Sequence, residues 1–127
     1  MNLLLDTHAL IWFLEGDDSL SVAAKEHIEN PENINFVSVA TFWEIAIKVS
    51  LNKLTMQMAL HDFKQTIWEN GLEVLPISIE HALFVSQLPF HHRDPFDRIL
   101  IAQATIDNMA IVSRDKAMQF YNVKTVW

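Results

Sequence analysis

Two hydrophobic patterns alternate along this chain. Asn2–Leu5, Ile34–Val39, Leu72–Ile77 and Ala110–Ser113 are short, nearly continuous apolar runs between polar or turn residues, the pattern of strands buried on both faces. The stretches between them carry helical spacing and helix punctuation. Asp6-Thr7 opens a helix that runs to about Leu14 and ends near Gly16, and Ser21 caps a second that stops before Pro31. Phe42, Ile45, Ala46 and Val49 form the i, i+3, i+4, i+7 face of a third helix, closed by Asn52 in a left-handed cap. Further helices are predicted from Met58 to Glu69, from a Ser78 cap to Leu88, and from Asp94-Pro95 to about Asn108, with Lys124–Trp127 as an edge strand. Strands alternating with helices imply right-handed crossovers. The expected fold is a three-layer α/β/α sandwich with a mostly parallel central sheet, one domain over residues 1–127.

Composition narrows the class. Half of the 127 residues are apolar, and Gly and Pro together number six, which excludes disordered and low-complexity chains. With no Cys, disulfide frameworks, Cys-zinc sites and thiol catalysis drop out. No apolar run reaches the roughly 18 residues of a membrane span, and no basic segment precedes the N-terminal run, so a cytoplasmic protein without membrane contact is expected. Nine Lys and Arg against sixteen Asp and Glu give a net charge of −7. A broad basic surface for polyanions is therefore excluded. The bases instead gather near Arg93, Arg98, Arg114 and Lys116, where contact with a polyanion is most plausible.

In an open parallel sheet, ligands bind beyond the carboxyl ends of the strands. Asp6 ends the first strand, Glu44 lies one turn into the helix after the second, Asp115 follows the fourth, and Asp97 is in the first turn of the helix leading to it. Each has an ordinary structural reading. Asp6 and Asp115 are suitable helix caps, and Glu44 stands four residues before Lys48, an ion-pair spacing. Asp94-Pro95-Phe96-Asp97 is a well-formed helix start that accounts for one of its two acids, mainly Asp94 as cap. Against those readings, Asp6 and Asp97 sit in strongly apolar surroundings, and a buried carboxylate without a partner takes up a proton or costs several kcal/mol. A divalent cation resolves that conflict, and all-oxygen ligation selects Mg²⁺ or Mn²⁺ over Zn²⁺. The other motifs are weak: no Gly-rich phosphate loop, no G-x-S-x-G elbow, and His91-His92 too close in sequence to act as a metal pair. A receiver domain or a haloacid-dehalogenase-type phosphatase would need a second acid near Asp6, where Thr7 and His8 stand. The pairs Trp12-Phe13 and Phe42-Trp43 each have room for one outward-facing member.

Four blocks, Leu4–Trp12, Trp43–Lys48, His92–Ala104 and Ile111–Asp115, resemble in order those of PIN-domain ribonucleases, and among them the toxins of VapBC-type toxin–antitoxin pairs. The usual Gly before Lys53-Leu54 is Asn52 here. The resemblance implies a PIN-like fold, RNA as substrate, Mg²⁺ or Mn²⁺ as cofactor, a homodimer, and a VapB-like antitoxin whose C-terminal segment covers the active-site groove. It carries the acidic catalytic quartet onto Asp6, Glu44, Asp97 and Asp115. Asp6, Asp97 and Asp115 are the expected metal ligands, and Thr7, Lys48, Asp94 and Ser113 are expected around them. Arg93, Arg98 and Lys116 are expected to contact the RNA backbone. The alternative is a catalytically silent PIN scaffold that binds RNA or a protein partner.

Overall fold

The computed structural model describes all of residues 1–127. Five strands, β1 (Asn2–Leu5), β2 (Ile34–Ser38), β3 (Glu73–Leu75), β4 (Ala110–Val112) and β5 (Thr125–Val126), form one sheet in the order β3-β2-β1-β4-β5. Every neighbouring pair is parallel. Helices α1 (Thr7–Glu15), α2 (Val22–Glu29), α3 (Val39–Ser50), α4 (Phe63–Glu69), α5 (Ile79–Phe84) and α6 (Pro95–Ile106) connect them. The expected α/β class and parallel sheet are both present.

Strand alternation makes two cores from one sheet. Leu3 and Leu5 of β1, with Ala110 and Val112 of β4, pack against Leu10 of α1, Ala24 and Ile28 of α2, Ile45 of α3 and Ile67 of α4. Leu4 and Ile111 point the other way, into Leu100, Ile101 and Ala104 of α6 and into Met118 and Tyr121. Leu3, Leu4 and Leu5 are all fully buried. Each contributes about 1.5–3 kcal/mol of burial, which makes this short strand the stem of both layers.

Helix ends follow the residues that permit them. Gly16, Asn52, Gly71 and Asn108 all have positive φ. Asn52 donates to the Val49 carbonyl and Lys53 to that of Lys48, the paired bonds that close α3. Asn therefore does at 52 what Gly does at 16.

Four predicted elements are shorter than expected, one of them the edge strand β5, which covers only Thr125–Val126 of the expected Lys124–Trp127. In place of a helix from Met58, a 3-10 turn at Leu60–Asp62 leads into α4 only at Phe63. The Gln57 amide instead donates to the Glu15 carboxylate at the end of α1, which holds this stretch off the helical path. β3 stops at Leu75, before Pro76, which has no N–H to give a ladder. α5 gives way to a 3-10 turn at Val85–Gln87 before Leu88. The reciprocal cap at its start is present: the His81 amide donates to Ser78 Oγ, and the Ser78 amide to His81 Nδ1.

Candidate active site

The chain leaves β1 to build β2 and β3 on one side, and returns to build β4 and β5 on the other. The crevice at the ends of β1 and β4 is therefore the switch point of the sheet. Leu5 pairs with Val112, and the Asp6 amide donates to the Val112 carbonyl at 3.1 Å, so Asp6 and the Ser113–Asp115 turn lie side by side. Across the mouth, α3 and α6 meet through Trp43 and Phe96, edge to face with ring centroids 5.5 Å apart. That contact brings Glu44 and Asp97 to the same place. The result is a cleft of about 320 Å³ lined by Asp6, Glu44, Asp94, Asp97 and Asp115, with Lys48 and Arg114 as its Lys and Arg residues.

Capping and cleft-lining turn out to be compatible. Asp6 Oδ1 accepts the Ala9 amide at 2.8 Å, and Asp115 Oδ1 accepts the Ala117 amide at 2.9 Å. Each carboxylate thus uses one oxygen as a cap and keeps the other for the site. Asp94 caps α6 by accepting the amides of Phe96 and Asp97, and it also lines the cleft. Asp97, at the third position of α6, makes no cap bond of its own. The remaining polar residues fix the acids in place. Thr7 Oγ1 donates to Glu44 Oε1, and Lys48 Nζ donates to Glu44 Oε2 at 2.6 Å, so both oxygens of this buried carboxylate are held. The Ser113 hydroxyl favours the charged form of Asp6 beside it and accepts the Asp115 amide at 3.0 Å.

The electrostatics express this crowding. Burial raises the Asp6 pKa above the ordinary carboxylate value, the bonds from Ser113 and Ala9 offset part of the rise, and Glu44 adds to it. Asp97 is pushed up to about 6, first by burial and then by repulsion from Asp94, Asp6 and Glu44, with His92 pulling the other way. The Glu44 hydrogen bond holds the Lys48 ammonium above its usual value, reinforced by the charges of Asp94 and Asp97. At Asp115, burial is outweighed by hydrogen bonds from His92 and the Ala117 amide, and the pKa is lowered.

His92 has no place among the residues whose spacing suggests chemistry, yet its Nε2 lies 2.7 Å from Asp115 Oδ2. One ligand atom from each of His92, Asp97 and Asp115 lies within 4.8 Å of the other two. Asp6 lines the same cleft but stands outside that group. Adjacent histidines point apart on a regular element and make a poor metal pair, which argues against the pair and conceals the single one that matters. Tyr121 seats it: its hydroxyl accepts the His92 amide at 2.8 Å and lies 3.2 Å from Nδ1.

The expected basic contacts fare differently. Arg98 is not a surface residue. It is 5% exposed, and its guanidinium donates to the carbonyls of Val85, Leu88, Pro89 and His92 beneath the ring of Phe90. The apolar surroundings that bury one side of Asp97 also enclose its neighbour, so Arg98 is a structural strut. Arg93 and Lys116 are exposed but do not line the cleft.

A family model described as PIN domain matches residues 3–125. Among solved structures, VapBC2 from Rickettsia felis, bound to a DNA fragment from their promoter, has a TM-score of 0.72 at 16% identity, covering 98% of this chain and 97% of that one. VapBC-1 from nontypeable Haemophilus influenzae has a TM-score of 0.64 at 16% identity, covering 98% and 96%. FitAcB from Neisseria gonorrhoeae has a TM-score of 0.58 at 17% identity, covering 97% and 95%. No curated protein matches the chain in sequence. These structural likenesses speak for the fold, whereas the sequence match runs from the first strand to the last and takes in every acid of the cleft. By that match, the chain belongs to the PIN domain family.

Proposed function

We propose that this protein is a metal-dependent endoribonuclease, acting in the cytoplasm as the toxin of a VapBC-type pair. The observation that carries the reading is the convergence of Asp6, Glu44, Asp97 and Asp115 on one cleft at the switch point of the sheet. Convergent carboxylates raise one another's pKa, and that repulsion is what a bound cation relieves.

The donor set suits Mg²⁺ or Mn²⁺. Asp97 and Asp115 are close enough to share one ion, and Asp6 can complete an all-oxygen set from deeper in the cleft, with His92 Nε2 left on Asp115. Such an ion, when bound, supplies Lewis acidity, favouring ionisation of water and offsetting the charge that builds on a phosphoryl group under attack. The protein's own groups supply orientation. Thr7 and Lys48 fix both oxygens of Glu44, which then orients the attacking water and accepts its proton. Ser113 steadies Asp6 and the Asp115 turn together, and His92 steadies the second oxygen of Asp115.

The toxin reading extends to partners. A cleft with five carboxylates suits an antitoxin that inserts a Lys or Arg among them. Exposed Trp43 on α3, with Ile79 and Leu83 on α5, supplies apolar surface for the proposed homodimer. The test is induced expression in a bacterial host together with RNA cleavage by purified protein. Growth arrest, and Mg²⁺- or Mn²⁺-dependent cleavage leaving 5′-phosphate ends, should both disappear in Asp6→Asn and Glu44→Gln. Full cleavage by Asp6→Asn refutes the assignment, and RNA binding without cleavage by the unaltered protein establishes a silent scaffold.

A further inference from the structure

The cleft is acidic, yet its proposed substrate is a polyanion, so some cation has to meet a phosphate. Of the nine Lys and Arg residues only Lys48 and Arg114 line the cleft; Arg98 is enclosed among carbonyls and Lys48 is bonded to Glu44. Arg93 and Lys116 lie off the lining. Arg114 is left. It follows β4 directly, is exposed, lines the cleft, and enters no ion pair or hydrogen bond although five carboxylates share the cleft with it.

What holds Arg114 in place is an aromatic face. Its guanidinium carbon lies 4.7 Å from the centroid of Trp12. Trp12 is itself braced by His8, with centroids 5.4 Å apart, and by Trp127 at 6.0 Å. A guanidinium packed over an indole is held by its face and keeps the N–H donors at its rim. Those donors match two oxygens of one phosphate, which a lysine ammonium cannot do. The stacking also restricts the long side chain before any ligand arrives, so less rotamer entropy is lost on binding.

We propose that Arg114, held on Trp12, is the backbone-phosphate contact of this cleft and grips a phosphate of single-stranded RNA beside the one attacked at the acids. The assignment rests on the ribonuclease reading and takes the role expected of Arg98. A phosphate contact is independent of sequence, so an arbitrary RNA reports on it.

The probe is a fluorescein-labelled 20-nucleotide single-stranded RNA of mixed sequence. Its affinity is measured by fluorescence anisotropy at several salt concentrations with Mg²⁺ present, on protein carrying Glu44→Gln, which prevents cutting and keeps the aspartates of the metal site. Adding Arg114→Ala should weaken binding about tenfold and reduce the slope of log affinity against log salt by about 0.7, the value for one contact to a single strand. Arg114→Lys should keep the slope and lose part of the affinity. Trp12→Leu should weaken binding with the charge still present. In otherwise unaltered protein, Arg114→Ala should raise KM while kcat changes little. Unchanged affinity and slope in Arg114→Ala, with the parent still binding, overturns this proposal and leaves the ribonuclease reading standing. Failure of the parent to bind the RNA overturns both.

Discussion

Replacing Asp97 by Asn should make the metal-free protein more stable and the metal-bound protein less so. The folded pKa of Asp97, about 6, lies above its ordinary value of 3.8. The native state therefore holds a proton that the unfolded state has already lost, and stability falls as pH rises from about 4 through about 6. A shift of about two units corresponds to roughly 3 kcal/mol in a dry site. Asp97 is only half-buried, and solvent screening reduces this to about 1.5 kcal/mol. Its place in the first turn of α6 returns about 0.5 kcal/mol through the helix dipole. The net expectation is that Asp97→Asn gains about 1 kcal/mol at pH 7.5 in EDTA, or about 3–5 °C in melting temperature, and nothing below about pH 4. With Mn²⁺ at a hundred times its dissociation constant, the unaltered protein should gain about 2.7 kcal/mol and the variant much less, so that their order reverses. Thermal denaturation of both proteins across pH, with and without metal, measures all of this. Asp97→Asn less stable than its parent in EDTA at pH 7.5, or equal metal shifts in both, would refute the idea that these acids repel one another until a cation is bound.

Single contacts carry further expectations. Arg98→Ala leaves four carbonyls without their donor and should cost about 3 kcal/mol or more in urea denaturation. Leu4→Ala, at the centre of the layer under α6, should cost about 2–5 kcal/mol by the same measurement. The Lys48→Met, Glu44→Gln cycle should give a coupling of about 1–3 kcal/mol, and additive losses would mean that the 2.6 Å pair contributes nothing. The lowered pKa of Asp115 means that its contribution to stability is present above pH 3.8 and is lost as pH falls through the folded value. In His92→Phe, the carboxyl resonance of Asp115 followed by NMR should titrate at higher pH.

The fold is legible because the period-2 and period-3.6 patterns rarely conflict here. Leu3, Leu4 and Leu5 read as a buried strand, and Asn52 reads as a left-handed cap. Where local sequence misleads, it is overruled from a distance. Residues near Gln57 have helical spacing, but the Glu15 carboxylate on another helix takes their amide. The four acids are legible because a parallel sheet binds ligands beyond its strand ends, and the structure brings all four together there. Capping and function look like competing explanations for an acid, yet Asp6 and Asp115 each have two oxygens and use them separately. The place of His92 in the site, and that of Arg114 among its basic neighbours, are hidden for one reason. Each depends on a partner far along the chain, Asp115 and Tyr121 for one and Trp12 for the other, and no short-range spacing records such pairs.

The socket around Arg98 also bears on motion. Residues 85–92 have no strand, one short 3-10 turn and several exposed side chains, features that elsewhere mark a segment free to open by itself. Here four of its peptide carbonyls are tied to one guanidinium on α6, next to Asp97. The segment cannot lift away without drawing a charge out of its bonds, so it opens only when α6 does. Its internally bonded amides, such as that of Leu88, should exchange with solvent deuterium on the timescale of the helix. The loop that delivers His92 and the helix that delivers Asp97 should then move together, which would limit how far thermal fluctuation changes the spacing between those two side chains.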